Sequence, residues 1–66
     1  MRHITESYLD GIKDSRAFLK SNPDFSLADM RELMETDREL MRSHCGAMKD
    51  FLKGGRDFWR HQIKKG

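Results

Sequence analysis

From Leu27 onward the chain carries apolar side chains at alternating steps of three and four: Leu27, Met30, Met34, Met41, Met48, Phe51 and Phe58, with Asp37, His44, Gly55 and Gln62 in the same register. Side chains so spaced share one face of an α-helix, because 3.6 residues complete a turn. No proline interrupts the run before Ile63. The pattern therefore predicts one helix over about 27–63, roughly 55 Å long at 1.5 Å per residue. Leu33, Leu40 and Ala47 widen the stripe on one side, and Leu52 and Trp59 widen it on the other. Gly46 and the pair Gly54-Gly55 are the weak points. A glycine pair can end one helix and begin another. The alternative is thus a third helix from Arg56 to Lys64 that folds back onto the first two and makes a compact monomer.

Ahead of this run, Ile4, Tyr8, Ile12, Ser15 and Leu19 project onto one helical face, flanked by Leu9 and Phe18, while Glu6, Asp10, Lys13, Ala17 and Lys20 fall opposite. A first helix over about 5–21 follows, with Thr5 as N-cap and Glu6 well placed in the first turn. Gly11 lies near the apolar stripe, where it allows close backbone approach or simply weakens the helix by about 1 kcal/mol. Asn22-Pro23 stops the helix, since proline disfavours helical geometry in the residue before it. In the turn over 22–26, Ser26 and Asp29 have capping-box spacing, and Phe25 and Met30 occupy the positions of a hydrophobic staple. The fold class read from these signals is all-α: a helical hairpin, over residues 1–66, with a short first helix and a long second one.

Unequal helices predict association. The first can cover the second only to about Ala47, leaving Met48, Phe51, Leu52, Phe58, Trp59 and Ile63 without intrachain cover. Burial of such a side chain contributes about 1.5–3 kcal/mol, so six exposed would forfeit on the order of 10 kcal/mol, as much as a typical domain's whole stability. These six residues are the predicted self-association surface, and the predicted assembly is a homodimer of two hairpins forming a four-helix bundle. Chain size points the same way: 66 residues bury a small core, and such chains usually need a staple or a partner. Cys45 is the only cysteine, so an intrachain disulfide cannot supply it, and a reducing, cytoplasmic setting fits. No apolar run reaches the roughly 18 residues that a membrane-spanning helix needs.

Charge is unevenly placed. From Lys49 to Gly66 six Lys and Arg stand against Asp50 and Asp57, a balance of +4, while the first 48 residues balance to −2. Lys53, Arg56, Trp59, Arg60, Lys64 and Lys65 form the candidate partner-binding group. Cations there can meet a partner protein or nucleic-acid phosphates while Trp59 stacks or anchors; the same cations also complement the dipole of a helix C-terminus. Asp37 and His44 interrupt the apolar register two turns apart. They are either a buried pair that sets register or titrates, or edge residues that meet polar partners or water. His3, His44, Cys45 and His61 show neither C-x-x-C nor H-x-x-x-H spacing, so no metal site is expected. No nucleophile–base pairing and no glycine-rich phosphate loop occurs, so neither an enzyme nor a cofactor is expected. Met30, Met34, Met41 and Met48 fill a core, or offer an adaptable binding surface.

The ending Gly54-Gly55-Arg56-Asp57-Phe58-Trp59-Arg60-His61-Gln62, with Tyr8-Leu9 and Ser15-Arg16-Ala17-Phe18-Leu19, resembles small helical proteins of phages and prophages. The type is that encoded between the exonuclease and excisionase genes of lambdoid phages. The resemblance covers about half the chain. It implies a non-enzymatic accessory that redirects host replication or growth control by binding a host protein, and it supplies no functional residues to carry over. A nucleic-acid-binding regulator using the basic C-terminal helix is the alternative.

Overall fold

Thr5 accepts the backbone N–H of Tyr8 on its hydroxyl at 3.2 Å, which satisfies one of the free donors at the start of a helix. That cap opens α1 (Glu6–Ser21) in a computed structural model that describes residues 4–65. Asn22 ends α1, its backbone N–H donating to the Leu19 carbonyl at 3.1 Å and its side-chain amide to Phe18 at 2.8 Å. After the Pro23 turn, Ser26 and Asp29 close the capping box in both directions: the Ser26 hydroxyl accepts from Asp29 N at 3.1 Å, and the Asp29 carboxylate accepts from Ser26 N at 3.3 Å. They start α2 (Leu27–Ser43). The third element is α3 (Gly46–Lys65). The architecture is all-helical.

The single helix over 27–63 is therefore corrected to two, and the break lies at His44-Cys45-Gly46 rather than at Gly54-Gly55. His44 is extended (φ −123°, ψ 156°), and Gly46 has φ 65°, a left-handed conformation that costs other L-residues about 1–2 kcal/mol. The broken end is closed locally: Ser43 Oγ donates to the Leu40 carbonyl at 3.2 Å, and His44 Nδ1 lies 2.7 Å from the same oxygen. A carbonyl only accepts, so Nδ1 carries the proton in this contact. The three-and-four stepping survives the break because α2 and α3 are both amphipathic and pack against the same interior.

The break lets α3 return along the molecule and pack against both α1 and α2, which do not pack along each other. Thr5 meets Asp50, Gly11 meets Phe51 and Gly55, and Phe18 meets Trp59, so α1 and α3 run in the same direction. The α1–α3 crossing is built on glycine. A Cβ on Gly11 would stand 2.1 Å from the Phe51 carbonyl oxygen, and one on Gly54 would stand 2.1 Å from that of Tyr8. The two contacts are reciprocal, each glycine lying three residues after the carbonyl that receives its partner. Such close approach admits Cα–H···O contacts between the helices.

Beyond the crossing sits an aromatic cluster. Trp59 is 2% exposed, with ring centroids 5.1 Å from Phe58, 5.6 Å from Phe25 and 6.2 Å from Phe18. Its contacts with Phe18 and Phe58 are edge-to-face, the arrangement ring quadrupoles favour. Phe25 thus ties the turn to α1 and α3, through Phe18 and the indole. The self-association surface is corrected accordingly. Trp59 is core, Phe51, Leu52, Phe58 and Ile63 are half-buried within the same chain, and of the six only Met48, at 52%, is largely exposed. The unmatched helix length that required a second copy is gone. Among the described residues no helix is long and apolar enough to cross a membrane.

Candidate functional site

With Trp59 inside, the outward side chains of α3 are mostly basic. Lys49, Lys53, Arg56, Arg60 and Lys64 recur at steps of four, three, four and four along α3, and all but Arg56 are exposed. Helical spacing puts them on one stripe about 22 Å long. Two open grooves flank it and share Arg56, Arg60 and Lys64. The Trp59 of the candidate partner-binding group is thus separated from the cations it was grouped with, and Lys65 is exposed but lines neither groove.

The groove between α1 and α3 is polar and internally tied. Tyr8 donates its hydroxyl to Asp57 Oδ2, and Arg56 donates from Nε and Nη2 to Asp57 Oδ1 at 3.1 and 2.9 Å. Thr5 donates its hydroxyl to Asp50 at 3.1 Å. Burial pushes the Asp57 carboxyl upward, but hydrogen bonds from Tyr8 and Arg56, with the charges of Arg56 and Lys53, outweigh it and hold the carboxyl below its usual range. Two of these bonds, Thr5–Asp50 and Tyr8–Asp57, join α1 to α3.

The groove between α2 and α3, about 620 Å³, is differently made. Met34 and Ile63, both half-buried, lie at its floor, and Arg31, Arg38, Arg56, Arg60 and Lys64 line it against one acidic residue, Glu35. Arg38 is paired with Glu35 at 3.2 Å and Arg56 with Asp57. Among the described residues, Arg31, Arg60 and Lys64 enter no ion pair. This groove was not legible in the chain, because Arg31 and Arg38 on α2 face α3 only once the chain has broken at His44.

Asp37 and His44 are not brought together. His44 is an exposed cap at the end of α2, whereas Asp37 points at Gly55: its Oδ2 lies 3.1 Å, and Ser15 Oγ 3.2 Å, from where a Gly55 Cβ would stand. Asp37 shares its cleft with Asp14, Leu33, Phe51, Leu52 and Trp59, and burial pushes its carboxyl from 3.8 to about 6. The sign follows from linkage. The folded state holds the proton more tightly, so the associated stability is fully present below pH 3.8 and is lost as pH rises through about 6. The full shift corresponds to about 3 kcal/mol at neutrality, and partial exposure reduces this to about 1–2 kcal/mol. Asp37→Asn is expected to flatten the stability profile between pH 4 and 7 and to raise Tm at pH 7 by about 5 °C or more. Melts at constant ionic strength check this; a variant with the wild-type profile contradicts it.

His3 lies outside the described residues. Cys45 is exposed, and His61 lines both the polar groove and the cleft beside Ile12 and Phe58. Among the described residues no group of three His, Cys, Asp or Glu side chains is placed to hold a metal ion. Comparison of the chain with family models, with curated proteins and with solved structures finds no match.

Proposed function

We propose that this chain is a small, cytoplasmic, non-enzymatic accessory protein that acts by binding a partner protein on the basic face shared by α2 and α3. The observation that carries the reading is the combination of Arg31, Arg60 and Lys64, free of ion pairs among the described residues, around a floor of Met34 and Ile63. Unpaired cations beside half-buried apolar atoms suit a protein surface that offers both acidic and apolar groups. A host-directed phage accessory, as the resemblance of the chain implies, would work through such a surface. Trp59 is committed to the core, so its contribution is to hold α3 in place rather than to touch the partner.

Charge reversal tests this. Arg60 and Lys64 are exposed, so Arg60→Glu with Lys64→Glu is expected to leave the circular dichroism spectrum unchanged. The double variant is expected to lose proteins that the unaltered chain captures from native cells, identified by mass spectrometry. Capture of the same proteins by both chains refutes the reading.

One observation favours a second reading. The α3 stripe of Lys49, Lys53, Arg56, Arg60 and Lys64 could follow a nucleic-acid backbone, with log affinity falling against log salt by about 0.9 per phosphate neutralised on duplex DNA. Failure to retain DNA or RNA at low salt eliminates it.

A further inference from the structure

The chemistry of the α2–α3 groove narrows the partner. Its basic residues lie on both walls, Arg31 and Arg38 on α2 and Arg60 and Lys64 on α3, with Met34 and Ile63 between them. An occupant that satisfies all of these presents apolar side chains toward the floor and carboxylates along both flanks. Backbone chemistry decides its conformation. An extended peptide needs a sheet edge for its N–H and C=O groups, and this all-helical architecture presents none among the described residues. A polyproline segment needs an aromatic-lined groove, and no aromatic residue lines this one. A helix satisfies its own backbone and packs between two others.

We infer that the groove between α2 and α3 receives an acidic amphipathic helix of the partner protein, its apolar side chains seated on Met34 and Ile63 and its carboxylates paired with Arg31, Arg60 and Lys64. The inference rests on the protein-binding reading above and specifies its ligand. A second copy of this chain does not fit: its first helix is charge-balanced, with three acidic and three basic residues, and its acidic second helix is already packed against its own α3. A nucleic acid fits less well: phosphates gain nothing from Met34 and Ile63, and no ring is available here for bases to stack on.

The test uses the full chain and a fluorescently labelled synthetic helix with Leu on one face and Glu on the other. Its controls are a scrambled peptide of the same composition, a Lys-for-Glu counterpart and a duplex DNA oligonucleotide. The amphipathic acidic peptide is expected to bind at least about tenfold more tightly than the scrambled one, a difference of about 1.4 kcal/mol. Arg31→Glu and Lys64→Glu, both at exposed positions, are each expected to weaken it several-fold, and Met34→Glu more. Because Met34 is half-buried, that variant is read only alongside the two exposed ones. Equal binding of the scrambled peptide, indifference to Arg31→Glu and Lys64→Glu, or displacement of the peptide by the oligonucleotide at equal concentration overturns the inference. Loss of cellular partners on charge reversal without peptide binding would sink this inference alone and leave the protein-binding reading standing. Peptide binding with capture unaffected by charge reversal would sink the reading and leave the groove's chemistry intact.

Discussion

Gly54→Ala is expected to abolish the cooperative fold. In an isolated helix the change would help, since alanine exceeds glycine in helix propensity by about 1 kcal/mol. Here the new methyl would stand 2.1 Å from the Tyr8 carbonyl oxygen, 3.0 Å from its carbon and 3.3 Å from Ile12 N. All three are backbone atoms, so no side-chain rotation relieves the clash. Relief requires α1 and α3 to move apart by about 1 Å, and a gap of that size forfeits a quarter to a half of each dispersion contact along the crossing. The Tyr8–Asp57 hydrogen bond spans the same interface and would be strained with it. The expected cost exceeds about 3 kcal/mol, against a total of roughly 3–5 kcal/mol for a core of this size. Circular dichroism on heating measures it, with Gly46→Ala as the comparison. Nothing lies within 4 Å of a Cβ there, so only the backbone strain at φ 65° remains, about 1–2 kcal/mol. A Gly54→Ala protein that melts at or above the wild-type temperature would show that the two helices do not touch backbone to backbone.

Trp59→Ala is expected to be nearly as severe. Removing a buried large aromatic side chain costs about 3–5 kcal/mol, because the lost burial is joined by an unfilled cavity. At Trp59 the loss falls on Phe18, Phe25 and Phe58 together. It therefore detaches the turn and α1 from α3 rather than loosening a single contact. Urea titration at low temperature is expected to show a fully unfolded or molten chain, with Trp59→Phe retaining a cooperative transition at lower urea. The chain has one tryptophan, so its fluorescence reports this site alone, and emission in the folded protein is expected to be blue-shifted relative to the urea-unfolded state. Emission unchanged by unfolding would place the ring in water and contradict the aromatic core.

Both predictions turn on residues whose chemistry was visible along the chain but whose geometry was not. The all-helical class followed from periodicity, and the start of α2 from Ser26 and Asp29, because caps and amphipathic faces are written within a few consecutive residues. Gly11, beside an apolar stripe, reads along the chain as a place for close approach, whereas its counterpart Gly54 reads as a weak point in a helix. The two roles are indistinguishable until the crossing helix is present. The same limit explains the misplaced break. The extended His44 and the left-handed Gly46 that bracket Cys45 leave the three-and-four register in phase, so periodicity alone could not reveal them. Once the chain turns there, the apolar side chains assigned to a second copy, Met48 excepted, are buried or half-buried within their own chain. The basic face changes meaning in the same step. Arg56, Arg60 and Lys64 are joined by Arg31 and Arg38 from another helix, while Trp59 withdraws from the surface.

Reversal of α3 onto its own chain underlies both the groove and the burial of Trp59, and small-angle X-ray scattering over a concentration series tests it most directly. The folded chain has a Cα radius of gyration of 11.5 Å and extents of 32 × 22 × 20 Å. The expected result, after a hydration shell of a few ångströms, is a radius of about 12–14 Å and a mass near 7.8 kDa that does not change with concentration. An unbroken helix of about 55 Å has a radius of gyration of roughly 16 Å by itself. A radius at or above that value, with a mass that doubles, would contradict the reversal.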